Sequence, residues 1–127
     1  MGEPVVLTFD VGTQSVKALL IDKSGHVVAQ TRRVYETPYY SLQPNWAEQD
    51  PEQYWQGVCD VTHQVLEHTG VAPDTVAGMA FGTQWKGIIP IDKDGNVLHN
   101  SIIWQTCPHQ TARSGAWPDP RHGHPAR

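Results

Sequence analysis

The stretch Phe9-Asp10-Val11-Gly12-Thr13-Gln14-Ser15-Val16-Lys17 lies between two apolar runs near the start of the chain. The runs, Val5 to Phe9 and Val16 to Ile21, have the length of β-strands and are rich in β-branched residues. Two such runs joined by a short polar segment predict a β-hairpin. We therefore expect the fold to begin with two antiparallel strands and a polar turn between them.

The polar turn carries the chemical groups that a nucleoside triphosphate needs. Asp10 follows a buried strand, where a carboxylate is costly without a cation or a hydrogen-bond partner. Gly12 allows the backbone to approach a ligand closely. Further hydroxyl, amide and ammonium groups come from Thr13, Gln14, Ser15 and Lys17. An acid for a metal ion and a Gly/Thr turn for phosphate oxygens favour a phosphate site, and an ordinary polar turn is the alternative.

Length and composition limit the classes of function. The chain has 127 residues, enough for one domain with a modest core, and a net charge of −4, which gives no basic face for nucleic acid. No apolar run approaches the ~20 residues of a membrane span, and since the first residues have neither a basic region nor an apolar core, we expect no signal peptide. The cysteines, Cys59 and Cys107, make no disulfide framework. We expect a cytoplasmic protein that binds neither nucleic acid nor a membrane.

The middle of the chain predicts more strands and one helix. A turn at residues 22–26 precedes a third strand, Val27 to about Tyr35, so the first three strands form a meander. A helix begins after Asp50, the expected N-cap, with Pro51 at its first position. Apolar residues then recur at helical spacing and Gly70 is the expected C′ residue. Within the helix, Gly57 costs roughly 1 kcal/mol relative to Ala and therefore marks a close contact.

Two further strands follow the helix in the sequence. Thr75 to Phe81 is predicted as a strand, the segment from Gly82 to Gly87 interrupts it, and Ile88 to Ile91 resumes it. Asp92-Lys93-Asp94-Gly95-Asn96 carries the Asp-Gly signal of a hairpin turn. The predicted order is β-β-β-α-β-β, an α/β fold with a mixed sheet and at least one covering helix.

Three segments together resemble a known family. They are Asp10 to Lys17, Trp46-Ala47-Glu48-Gln49-Asp50-Pro51, and Gly82-Thr83-Gln84-Trp85-Lys86-Gly87 with Ile102-Ile103-Trp104 behind it. In order and approximate spacing they resemble the N-terminal part of the FGGY carbohydrate kinases, over about residues 5–104. The resemblance implies a ribonuclease H-like (actin-like ATPase) fold, with ATP and sugar in a cleft between two domains.

The resemblance also implies the site residues and the cofactors, ATP and Mg²⁺. Asp10 would hold the magnesium, and the phosphate end of the cleft would be lined by Asp10, Gly12, Thr13, Gln14 and Lys17. The sugar or polyol would meet Gln84, Trp85 and Lys86. In xylulose kinases this stretch looks like Gly-Gln-x-His-Gly. Lys86 stands where those kinases would have the histidine, so this chain departs from their pattern. The catalytic base, an aspartate, would come from the second domain, and a full-length relative could form a homodimer.

The end of the chain departs from this resemblance. Residues 105–127 contain no Val, Ile, Leu, Met, Phe or Tyr and are rich in Pro, His and Arg. We expect a partial kinase domain over residues 1–104 and a disordered tail over 105–127. Our hypothesis is that a frameshift or a mis-called gene end produces this tail. Reading the coding DNA in its other frames tests this. Two alternatives stay open: another actin-like ATPase, such as a chaperone, and a non-catalytic sugar-binding module.

Overall fold

The computed structural model describes residues 2–37, 39–41 and 44–106. These residues form two compact units. The first combines Met1–Pro38 with Glu52–Gln84, and the second contains the described residues of Tyr39–Pro51 and Trp85–Arg127. The sequence shows no linker at these boundaries, so the division is a finding of the structure.

Most of the regular structure belongs to the first unit. In chain order the elements are β1 (Val5–Val11), β2 (Ser15–Asp22), β3 (Val27–Val34), β4 (Glu48–Gln49), α1 (Pro51–Thr69), a 3-10 turn (Pro73–Thr75), β5 (Val76–Thr83) and β6 (Ser101–Ile102). Four of the strands form one sheet in the order β3-β2-β1-β5. The β1–β2 and β2–β3 pairs are antiparallel and the β1–β5 pair is parallel. The predicted hairpin, meander and mixed sheet are confirmed.

One face of this sheet forms the core with α1. Strand residues alternate between the two faces, and the buried ones on β1 and β2 are Val5, Leu7, Phe9, Val11, Val16, Ala18 and Leu20. They cluster with Val61 and Val65 of α1 and with Tyr35, and Tyr54 and Val58 pack at the edge of the cluster. The helical spacing of these apolar positions is therefore the spacing of the buried face, as predicted.

Both helix glycines lie where the sequence indicates a special role. Gly57 is buried, and a Cβ placed on it would lie 2.7 Å from Cγ2 of Val16 on β2. Gly70 has a φ of +65°, and its N–H donates to the carbonyl of Leu66 at 2.9 Å. The first glycine lets α1 approach the sheet, and the second ends the helix in the left-handed conformation.

Two turns of similar sequence, Asp22 to His26 and Asp92 to Asn96, have the same geometry. Oδ1 of Asp22 accepts the N–H groups of Ser24 and His26 at 2.8 and 2.9 Å, and Gly25 has a φ of +85°. Oδ1 of Asp92 accepts the corresponding pair at 2.8 and 2.9 Å. The pKa of each leading carboxyl lies below its usual range, because of the backbone of His26 for Asp22 and the side chain of Asn96 for Asp92.

The last two predicted strands differ from the observed ones. β5 runs on to Thr83, so Gly82 and Thr83 continue the strand instead of interrupting it, because both pair with the end of β1. The segment Ile88 to Ile91 is not a continuous strand. In the second unit it makes isolated bridges, Ile88 to Ile102 and Ile91 to Val97, because the Asp92 turn closes directly after it.

The second unit contains a buried polar pair. Strand β4 consists of Glu48 and Gln49, which are 1% and 0% exposed and pair with β6. Oε2 of Glu48 accepts the side-chain amide of Asn100 at 3.3 Å, and no described residue donates to its Oε1. This burial, together with the pairing of β4 with β6, indicates a structural role for the segment.

Residues 107–127 lie outside the described part of the chain. The prediction of a disordered tail concerns mainly these residues, and Cys107 is one of them. Within the described residues, Cys59 is a free thiol. The described helices include none with the length and hydrophobicity needed to span a membrane.

Candidate functional site

The turn between β1 and β2 is fixed by backbone hydrogen bonds on two sides. The N–H of Gly12 donates to the carbonyl of Ser15 at 2.9 Å, which closes the turn. The N–H of Tyr35, just after β3, donates to the carbonyl of Gln14 at 3.0 Å. The side chain of Gln14 itself is exposed. The backbone at the predicted phosphate site is thus held in place by its neighbours in the first unit.

Asp10 and Lys17 form an ion pair across this hairpin. They are direct partners in the β1–β2 register, and Nζ of Lys17 lies 3.1 Å from Oδ2 of Asp10. Their side chains are 56% and 47% exposed. Exposed ion pairs contribute only about 0–1 kcal/mol. The pair can therefore open at little cost when a ligand offers each group a better partner.

The turn has a carboxylate, a cation and open space beside Gly12, which suit a magnesium–phosphate group. A Cβ on Gly12 would lie 3.4 Å from the Ser15 carbonyl oxygen and 3.9 Å from Oδ1 of Asp10, so the glycine keeps the space beside the carboxylate open. The described residues contain no group of three or more His, Cys, Asp or Glu side chains that could hold a metal ion by itself. Mg²⁺ bound to nucleotides uses one or two carboxylates, substrate phosphates and water. A single exposed carboxylate beside a cation fits that chemistry.

A hydrogen-bonded chain of side chains joins the turn to β5 and α1. Oγ1 of Thr13 donates to Oε1 of Gln84 at 2.9 Å. Nε2 of Gln84 donates to the Tyr54 hydroxyl at 2.9 Å, and the Gln84 N–H donates to the carbonyl of Val11 at 2.9 Å. The sequence interpretation assigns Gln84 to the sugar. The structure brings it to Thr13, with both ends of its amide bonded to protein groups.

Tyr54 is a residue that the sequence interpretation missed as a polar contact. Its position at helical spacing predicts an apolar role, and its ring does lie 6.0 Å from that of Tyr35. Only the tertiary fold shows that its hydroxyl reaches Gln84. The neighbouring Tyr35 hydroxyl is buried without a partner among the described residues. Burial, and then the nearby Tyr54, raise the pKa of Tyr35 above its usual range.

Trp85 and Lys86, the other predicted sugar contacts, lie in the second unit. Trp85 is 79% exposed, so it is not a core aromatic. Nζ of Lys86 lies 4.6 Å from the centre of the Trp85 ring, a cation–π contact. Lys86 has a φ of +58°, a conformation that non-glycine residues rarely adopt. These two side chains are therefore coupled to each other and displayed to solvent.

Replacing Tyr54 by Phe should cost about 1 kcal/mol of stability, because it removes the hydroxyl that accepts the Gln84 amide at 2.9 Å. Urea denaturation of the wild-type chain and the variant measures this difference. Tyr39→Phe is the matched control, since Tyr39 is 46% exposed in the second unit. Equal effects of both substitutions would contradict a stabilising role for the Tyr54 hydroxyl.

Comparison with known proteins places the chain among carbohydrate kinases. Residues 5–114 match the family model described as the FGGY family of carbohydrate kinases, N-terminal domain. A glycerol kinase from Thermococcus gammatolerans is 32% identical over 103 residues, which are 81% of this chain and 20% of that protein. Glycerol kinase 1 from Lactiplantibacillus plantarum is 32% identical over 113 residues, 88% of this chain and 22% of that protein. The chain thus spans about a fifth of the length of these relatives.

Solved structures agree with the fold. A xylulose kinase from Rhodospirillum rubrum has a TM-score of 0.71 at 26% identity, over 88% of this chain and 24% of that one. A gluconate kinase from Lactobacillus acidophilus has a TM-score of 0.77 at 23% identity, over 90% of this chain and 22% of that one. The predicted α/β fold of the actin-like type is confirmed. The family match runs to residue 114, beyond the boundary that the sequence indicates at Trp104.

Proposed function

Since the chain belongs to the FGGY family of carbohydrate kinases, we propose that its β1–β2 turn binds the phosphates of Mg²⁺·ATP. In the whole protein this site serves phosphoryl transfer from ATP to a hydroxyl of a sugar or polyol. Membership of the family supports the reaction class, and the geometry of the turn supports the proposed site within this chain.

The ion pair between Asp10 and Lys17 is the observation that supports this proposal most directly. It holds an acid and a cation 3.1 Å apart beside a turn whose backbone is already fixed. In the bound state the carboxylate of Asp10 holds Mg²⁺ directly or through water, and the ammonium of Lys17 turns to a phosphate oxygen. Bound magnesium neutralises charge on the phosphates.

We propose separately that the second unit carries a contact for the sugar or polyol. Trp85 exposes an apolar ring of the kind that packs against a sugar, and Lys86 adds a cation beside that ring. Gln84, which the family resemblance places next to them, stays a proposed contact. Among the relatives above are glycerol, xylulose and gluconate kinases, so a small polyol, pentulose or sugar acid are the substrates to test.

Calorimetric titration of the purified 127-residue chain tests the proposal. Mg²⁺·ATP and Mg²⁺·ADP should bind in a saturable, Mg²⁺-dependent manner, and adenosine, which lacks phosphates, should bind far more weakly. Absence of Mg²⁺-dependent nucleotide binding would contradict the phosphate site.

The same chain should show no turnover with ATP and glycerol, xylulose or gluconate. It spans about a fifth of its relatives, and phosphoryl transfer needs groups positioned on both sides of the reacting phosphate. A coupled assay for ADP release measures this. Sugar-dependent ADP release by the chain alone would show that the catalytic base lies within these 127 residues.

A further inference from the structure

Three charged residues form a row across three adjacent strands. Asp10 on β1 is the register partner of Lys17 on β2, and Lys17 is in turn the partner of Arg32 on β3. Neighbouring strands lie about 4.8 Å apart. Arg32 therefore adds one more cation beside Asp10, the proposed magnesium ligand, and Lys17, the proposed phosphate contact.

The alternation of strand residues places this row on the face of the sheet opposite α1. Val16 and Ala18 flank Lys17 and are both fully buried on the α1 face, so Lys17 projects the other way. Next to Arg32, Arg33 forms an ion pair with Asp60 of α1. Consecutive arginines on β3 thus have different environments: one is paired on the helix side, and the other lies beside Lys17.

Among the described residues, the Arg32 side chain is held at its Nε edge. Its Nε donates to Oγ of Ser15 at 3.0 Å, and Ser15 is only 7% exposed. Within the part of the chain that the structure describes, no carboxylate pairs with Arg32, whereas Arg33 and Lys17 each have one. The bond to Ser15, the first residue of β2, orients the guanidinium of Arg32. The terminal N–H groups of the guanidinium can then donate to another acceptor.

We propose that Arg32 is a second cationic contact for the polyphosphate group, beside Lys17. The proposal rests on the phosphate site proposed above and extends it to a third strand. An arginine fork matches the oxygens of a phosphate group and makes charge-assisted hydrogen bonds to them. Asp10 neutralises Lys17 in the unliganded hairpin, so Arg32 is the cation of the row that first attracts an anion.

Calorimetric titration with Mg²⁺·ADP and with magnesium pyrophosphate tests this assignment. Arg32→Gln should weaken both ligands about tenfold, because it removes charge-assisted hydrogen bonds. Arg32→Lys should recover part of the loss, because it retains the charge without the fork. Arg33→Gln is the matched control, because Arg33 lies on the α1 side of the sheet. The affinity of this variant for both ligands should stay within about twofold of wild type. Thermal melts followed by circular dichroism establish that each variant is folded at the titration temperature.

The outcomes separate this inference from the function on which it rests. Unchanged affinity of Arg32→Gln, or an equal loss in Arg33→Gln, would overturn the role of Arg32. If Lys17→Gln loses affinity while Arg32→Gln does not, the phosphate site stands and only its extension to β3 is wrong. If the wild-type chain binds neither ligand, both proposals are wrong.

Discussion

Gly57→Val should destabilise the chain by about 3 kcal/mol, the largest effect that we expect of any single substitution on its stability. A Cβ at this position would lie 2.7 Å from Cγ2 of Val16, and Val16 is fully buried in the middle of the sheet. Since neither the strand nor the helix can yield without disturbing the core, α1 would have to move away from the sheet. Urea denaturation followed by circular dichroism measures the change in the free energy of unfolding.

Two comparisons separate the contact from the general effect of a β-branched residue in a helix. Gln56→Val places the same side chain on the neighbouring, exposed position of α1 and should cost only a few tenths of a kcal/mol. The pair Gly57→Ala and Val16→Ala should be less destabilising together than the sum of the single changes, because the methyl group added at position 57 occupies space that Val16→Ala empties. Strict additivity would show that the two residues do not contact each other.

Asp10→Asn should weaken Mg²⁺·ADP binding on the order of 100-fold, the largest effect that we expect on function. The amide keeps the size of the side chain and loses the charge that would attract Mg²⁺. Without Mg²⁺, the effect of Asp10→Asn on affinity for the anion should have the opposite sign. In the variant the ammonium of Lys17 is no longer paired at 3.1 Å with a carboxylate, so free pyrophosphate should bind better than it does to the wild-type chain.

Asp74→Asn provides the control for this change of charge. Asp74 is exposed in the turn before β5, whereas Asp10 pairs with Gly82 near the other end of that strand. Titrations with and without Mg²⁺ should therefore be unchanged in Asp74→Asn. An equal response of the two variants, or equal losses with and without Mg²⁺ in Asp10→Asn, would argue against Asp10 as the magnesium ligand.

The features that follow correctly from the sequence depend on neighbours along the chain. The β1–β2 hairpin follows from two apolar runs and a polar turn. Gly70 ends α1 because a left-handed residue is needed one step after the last turn. Each Asp-led turn follows from a carboxylate that accepts N–H groups two and four residues later. In all these cases the deciding contacts lie within a few residues.

The features that the sequence does not predict depend on pairing between distant segments. Whether β5 ends at Phe81 or at Thr83 depends on how far β1 continues beside it. The different surroundings of Arg32 and Arg33 depend on the β2–β3 register and on where α1 packs. The burial of Glu48 requires β6, more than 50 residues away. No local pattern contains this information.

The hydrogen-bonded chain through Gln84 also has a consequence for the order of folding. Its two bonds join residues 71 and 30 positions apart in sequence, and Gln84 reaches Thr13 only at the end of the parallel β5, after α1 has crossed over. Contacts between such distant segments form late, because the long loop must close first. During synthesis, therefore, Thr13 cannot acquire its final partner until residue 84 has left the ribosome. The Asp10–Lys17 pair, which joins residues only seven positions apart, can form much earlier than the bond from Thr13 to Gln84.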